Sequence, residues 1–181
     1  MEIRHLNIAD TEIYITPIIS SADKARDRER ATEKVLLGEI FGHTVDLQHT
    51  NEGKPHINEK KFISISHTKK HLTIALSDTK PIGIDIELIS ERINRVKERF
   101  LNEEELLKVK SLNHLALCWS AKEAIYKIND KAGALGENIR INIDELLRSN
   151  VFSAFVEDKK YTVNIVEQLN DYEIVLAYEC I

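Results

Sequence analysis

Asp85 and Glu87 alternate with Ile84 and Ile86 in the run Gly83-Ile84-Asp85-Ile86-Glu87. On a β-strand successive side chains point to opposite faces, so the isoleucines would face a core and both carboxylates would project from the other side. That is a pair of hard oxygen donors. Mg²⁺ takes a few carboxylates plus water and substrate phosphate rather than a full protein cage, so a third acid and a polyphosphate would complete such a site. Glu123 is the best candidate for the third acid. Around it Leu117, Ala121, Ala124, Ile125 and Ile128 form an apolar stripe at helical spacing, with Trp119, Lys122, Glu123 and Lys127 around the other side. Glu123 and Lys127 are four apart and share a face. An acid able to bind metal thus lies beside two lysines able to neutralise phosphate oxygens. The same spacings also describe a solvated strand edge and a surface ion pair worth about 0.3–0.5 kcal/mol, and the pattern alone leaves both readings open.

The elements that must hold these residues follow from periodicity and turn chemistry. Residues 12–18 read as a strand, 21–41 as a helix closed by Gly42, and 62–66 with 71–76 as a strand pair. Then 82–88 reads as a strand, 93–108 and 115–128 as helices, and 161–166 with 172–178 as a second strand pair. The order of elements repeats, which predicts an α+β fold of two pseudo-duplicated lobes in one chain, 1–80 and 81–181, with the seam near Thr79-Lys80-Pro81 and the active site at the lobe interface. In the first lobe Arg26, Arg30 and Lys34 fall at i, i+4 and i+8 on one helical face, interleaved with Asp23, Asp27 and Glu33. An ordinary charged helix surface has the same pattern.

Composition bounds the function classes. With 181 residues, 43% of them apolar, the chain can bury a real core. Its net charge of -5 argues against a nucleic-acid binder, which shows a basic excess. The longest apolar runs fall far short of the roughly 20 residues that span a bilayer, and Met1-Glu2-Ile3-Arg4-His5 has no signal-peptide core, so no membrane partner and a cytoplasmic location are expected. Cys118 and Cys180 lack metal-binding spacing and read as reduced, structural thiols. No histidine spacing indicates a zinc site.

Gly83-Ile84-Asp85-Ile86-Glu87, followed by Trp119-Ser120-Ala121-Lys122-Glu123-Ala124-Ile125-Tyr126-Lys127, closely resembles the signature pair of the 4'-phosphopantetheinyl transferases, in the two-lobed surfactin-synthetase-activating type. The resemblance extends to Gly53-Lys54-Pro55, to Ile63-Ser64-Ile65-Ser66-His67-Thr68, and to Arg99-Phe100-Leu101-Asn102 with the acids Glu103, Glu104 and Glu105. Ser64, Thr68 and Leu101 depart from the common family residues, as does the stretch Lys131-Ala132-Gly133-Ala134-Leu135-Gly136, and none of these is a proposed ligand.

The resemblance implies an enzyme that moves the 4'-phosphopantetheine arm of coenzyme A onto a serine of an apo acyl or peptidyl carrier protein and releases 3',5'-ADP. It implies Mg²⁺, or Mn²⁺ in its place, on Asp85, Glu87 and Glu123. Contacts to coenzyme A would come from Lys54, Ser66, His67, Lys122 and Lys127, with Arg26, Arg30 and Lys34 at the nucleotide end. Glu123, Lys127 and His67 would take part in catalysis, with developing charge stabilised by cations. The proton acceptor would be Glu123 or a water on the metal, and a cation lowers the basicity of its own carboxylate ligand, which favours the water. Two lobes in one chain imply a monomer. The competing readings are a catalytically silent relative that binds coenzyme A or a carrier protein, and an unrelated magnesium-dependent phosphohydrolase, for which no phosphate loop is present.

Overall fold

The computed structural model describes residues 2–19, 24–129, 138–169 and 171–180. The Gly-rich stretch 131–136 lies outside the described residues, as do positions 21–23 of the expected first helix. The chain divides into two compact units, Met1–Lys80 and Pro81–Ile181, each an antiparallel sheet with helix packed on it.

In the first unit β1 (Arg4–Ile8) and β2 (Thr11–Pro17) form a hairpin, and the sheet order is β1-β2-β6-β5, with β5 at Phe62–His67 and β6 at His71–Ser77. The β1–β2 loop is only Ala9-Asp10, both with positive φ (46° and 62°). A two-residue hairpin loop needs that backbone, and neither residue is the glycine that usually announces it. Turn chemistry in the sequence therefore does not announce β1. Helix α1 (Ala25–Phe41) ends at Gly42, whose φ of 72° lets its N–H close on the Gly38 carbonyl. Its Leu36 and Leu37 are buried with Leu72, Ile74 and Leu76 of β6, so the helix is held by its apolar stripe and its charged residues stay outside. A short ribbon of β3 (Leu47–His49) and β4 (Pro55–Ile57) completes the unit.

In the second unit the sheet order is β7-β11-β10-β9-β8. Strand β7 is Ile82–Leu88, β8 Ile139–Ile141, β9 Val151–Val156, β10 Lys159–Leu169 and β11 Tyr172–Glu179. The hairpin β9–β10 went unread in the sequence because its turn residue at positive φ is Glu157, at 52°, rather than a glycine. Helix α4 (Leu112–Ile128) lies on one face, burying Leu115, Ala121, Ala124 and Ile125 with Phe152, Val163, Val175 and Ala177.

The single helix expected over 93–108 is instead three pieces: α2 (Glu91–Val96), a 3₁₀ turn (Lys97–Arg99) and α3 (Glu103–Lys108). Phe100 and Leu101 break the run by dropping into the core, 0% and 3% exposed, with the Phe100 ring edge-on to Trp119 at 5.1 Å. Asn102 restarts it. Its side chain accepts the Glu105 N–H at 2.9 Å while the Glu105 carboxylate accepts the Asn102 N–H at 3.0 Å, a reciprocal capping box. A short helix α5 (Ile143–Leu146) precedes β9.

Candidate functional site

Gly83 decides how closely α4 can approach β7. A Cβ built on it would stand 1.8 Å from the Ala124 carbonyl oxygen and 2.7 Å from its carbon. Only hydrogen fits there, and the helix backbone rests directly on the strand. Residues 83, 85 and 87 share a face by strand parity, so the surface that receives Ala124 is the one that carries Asp85 and Glu87. Ile84 and Ile86 lie on the opposite face and are 0% and 2% exposed. The helix then delivers Glu123 and Lys127, on either side of Ala124, to the carboxylate pair.

Lys127 Nζ donates to the Ile84 carbonyl at 2.7 Å and to Asp85 Oδ1 at 2.9 Å. Asp85 is 6% exposed. Glu87 Oε1 accepts the Leu88 N–H at 3.0 Å. Burial raises the Glu87 carboxyl and the Asp85 charge adds to the rise, while the Leu88 N–H, Arg92 and a hydrogen bond from the Trp119 side chain oppose it. Glu123 is likewise raised, first by burial, then by Asp85 and Glu87, with Lys127 opposing. Three carboxylates therefore repel one another in a partly desolvated place, and Lys127 and Arg92 offset that repulsion only in part. All their donors are hard oxygens, so in charge and chemistry the set fits a divalent cation such as Mg²⁺. Among the described residues no three His, Cys, Asp or Glu side chains are grouped so as to hold a metal ion as they stand.

Lys122 departs from the expectation that it contacts phosphate. It is 0% exposed, and its Nζ donates to Glu105 Oε2 at 2.6 Å. Glu105, 2% exposed, also accepts the Ile141 N–H at Oε1, 2.8 Å. The physical reason is helical phase: Lys122 stands beside Ala121 and four residues after Cys118, on the buried sector of α4 rather than the open one. Desolvation lowers the Lys122 pKa, with Glu105 opposing. This ion pair ties α4 to α3 and β8 and so fixes the rotation of the helix that carries Glu123 and Lys127. The spacing Asn102-x-x-Glu105 announces the capped start of α3 and carries no sign of this ion pair.

Arg92 and Gly83 are further residues of this site that periodicity alone does not single out, and Trp119, placed by helical spacing on the side of Glu123, belongs to it as a partner of Glu87. Trp119 stands four before Glu123, which puts the two on one face. Glu173 of β11, in register with Glu87, is 0% exposed, and burial raises its carboxyl to about 7, offset in part by Gln168.

The first unit holds the other expected residues. Lys54 is half-buried in the β3–β4 turn, where Gly53 at φ 85° lets the Thr50 N–H reach the Lys54 carbonyl at 2.9 Å. Ser66 is 8% exposed on β5. His67, the exposed last residue of β5, lies 3.5 Å from Glu29 of α1; Glu33 of α1 feels its charge. Arg30 and Lys34 line a cavity of about 460 Å³ with Glu33, Val45, Asp46 and His49, whereas Arg26 does not border it. The structure thus brings Asp85, Glu87, Glu123 and Lys127 together in the second unit and sets Arg30 and Lys34 on one wall in the first. Both cysteines are free, and burial raises the Cys118 thiol. No helix among the described residues is long and apolar enough to cross a membrane.

A family model described as the 4'-phosphopantetheinyl transferase superfamily matches residues 81–177, a span that contains β7 and α4. The 4'-phosphopantetheinyl transferase gsp of Aneurinibacillus migulanus is 29% identical over 133 residues, covering 70% of this chain and 49% of that protein. The chain spans about half the length of this curated relative.

Proposed function

The chain belongs to the 4'-phosphopantetheinyl transferase superfamily, and from that premise we propose that it transfers the 4'-phosphopantetheine group of coenzyme A to a serine of an apo acyl or peptidyl carrier protein, Mg²⁺-dependently, releasing 3',5'-ADP. The observation that carries this reading is the meeting of Asp85, Glu87, Glu123 and Lys127 where α4 rests on Gly83.

Asp85, Glu87 and Glu123 would hold the Mg²⁺, which when bound neutralises pyrophosphate charge and polarises the reacting phosphoryl group. Lys127, already directed at Asp85, offers its ammonium to a phosphate oxygen, where a charge-assisted bond in a partly desolvated site exceeds its worth in water. The serine proton passes to a water beside Glu123 rather than to the carboxylate itself, because a cation held on Glu123 would lower its basicity. The serine oxygen forms its bond to the β-phosphorus as the bond to 3',5'-ADP breaks, and the proton leaves with that water. Lys54, Ser66 and His67, with Arg26, Arg30 and Lys34, are assigned to the phosphates and nucleotide end of coenzyme A. Trp119 and Arg92 orient Glu87. We also read the two units as copies of one ancestral α+β unit. Support comes from the strand neighbours β2-β6-β5 in the first and β7-β11-β10 in the second, where an early strand of each unit, β2 or β7, pairs with the last strand, β6 or β11, which in turn pairs with its own hairpin partner, β5 or β10.

The deciding experiment incubates the chain with coenzyme A, Mg²⁺ and a panel of apo carrier proteins and reads the mass of each carrier. A gain of one phosphopantetheine group is expected on at least one carrier, to be lost with excess chelator and restored by Mg²⁺ or Mn²⁺. A folded chain that modifies no carrier would overturn the activity, and full turnover in chelator would remove the metal.

A further inference from the structure

The end of α4 away from Glu123 and Lys127 borders a cavity of about 500 Å³ that none of the preceding chemistry uses. Its walls are His114 of α4, the turn 147–150 that follows α5, and Ile165 and Gln168 of β10. His114 and Glu123 are nine residues apart, about 13 Å along a helix at 1.5 Å per residue. In a chain of net charge -5, no carboxylate lines this cavity among the described residues, while Arg148, His114, Asn150 and Gln168 bring donors to it.

The turn that carries that arginine has its backbone fixed by hydrogen bonds. The N–H groups of Arg148 and Ser149 both close on the Glu145 carbonyl, at 3.0 and 2.9 Å, and the Asn150 carbonyl accepts the Ile165 N–H at 2.8 Å. The backbone of the wall is therefore pinned at both ends. The nearest acid in sequence, Glu145, turns its carboxylate away, accepting the Ser153 N–H at 2.7 Å and the Ser153 hydroxyl at 2.6 Å, and those bonds hold its carboxyl below the usual range. Arg148 forms no ion pair among the described residues. A guanidinium on a rigid turn, with an imidazole and two carboxamides sharing its cavity, suits an oxyanion that can accept two parallel N–H bonds. The volume lies in the range of small-ligand pockets.

We propose that this cavity is a second anion site, taking the phosphate group of a small molecule through Arg148 with His114, Asn150 and Gln168 around it, and distinct from the coenzyme A machinery at the other end of α4. The probe is inorganic phosphate, titrated into the full ¹⁵N-labelled chain, with chloride at matched ionic strength as control. Saturable shifts are expected at the amides of residues 148–150 and His114, and Arg148→Gln should weaken the binding about tenfold or more, with Arg148→Lys between the two. Because the readout is resolved by residue, phosphate bound near residues 83–87 and 123–127 reports the other site separately, and loss of either leaves the other measurable. Unsaturating shifts equal to those in chloride, or unchanged affinity in Arg148→Gln, overturn the proposal. Arg148 is exposed, so the variant is expected to fold, with unperturbed amides elsewhere as the check; His114→Gln gives an independent second reading.

Discussion

Gly83→Ala tests the claim that one missing side chain positions the whole site. The added methyl would lie 1.8 Å from the Ala124 carbonyl oxygen, and ordinary contact begins near 3.4 Å, so strand and helix must part by about 1.6 Å. Both clashing atoms of Ala124 are backbone, and no rotamer change relieves them. Overpacking of this kind costs typically 1–3 kcal/mol and occasionally more; a backbone clash belongs at the upper end, about 3 kcal/mol. At roughly 2–4 °C per kcal/mol for a chain of this size, the melting temperature should fall by about 6–12 °C. The same displacement opens the Lys127 contacts to Asp85 and Ile84, now 2.9 and 2.7 Å. Misplacement of reacting groups by about 1 Å can cost on the order of 100-fold, so carrier modification should fall at least that far in protein still folded at the assay temperature. Calorimetry and the carrier mass assay read the two effects. A variant with near-normal melting and near-normal turnover would show that α4 does not seat on Gly83 as described.

Lys122→Ala should destabilise the fold by about 3–5 kcal/mol, because it leaves the buried Glu105 charge without its partner, whereas Lys122→Met with Glu105→Leu should recover at least half of that loss; denaturant midpoints decide between them. Lys127→Ala should mainly lower kcat, since its charge is placed at the transferring phosphoryl group, while Lys34→Ala should chiefly raise KM for coenzyme A; equal effects on both constants in both variants would undo the assignment. Glu173 holds its proton up to about pH 7 in the folded chain but only to about 4.5 when unfolded. The folded state thus binds more protons in that window, and stability should fall as pH rises through it, by up to about 3 kcal/mol. Glu173→Gln should flatten that decline and raise the melting temperature at pH 8; an unchanged slope would remove Glu173 as its source.

The local pattern was enough to place the strand at Ile82–Leu88 and the helix ending at Ile128, because alternation and helical spacing are properties of neighbouring residues. The sequence likewise carried the acid types at 85, 87 and 123 and the cation at 127. It did not carry the reason for Gly83, which exists only when Ala124, 41 positions later, arrives above it. Nor did it divide the lysines. Lys122 and Lys127 look alike as charges near Glu123, and the partner that claims Lys122 is Glu105, on a separate short helix that starts only after Phe100 and Leu101 have sunk into the core. Strands β1 and β9 stayed hidden because Asp10 and Glu157 adopt turn conformations that their neighbours' hydrogen bonds impose on them. Residue type and spacing determine which chemistry a chain can reach, through rules acting over a few residues. Which charge is buried, which is presented, and how near a helix lies to a strand depend on desolvation and packing between distant segments, and only the tertiary structure decides them.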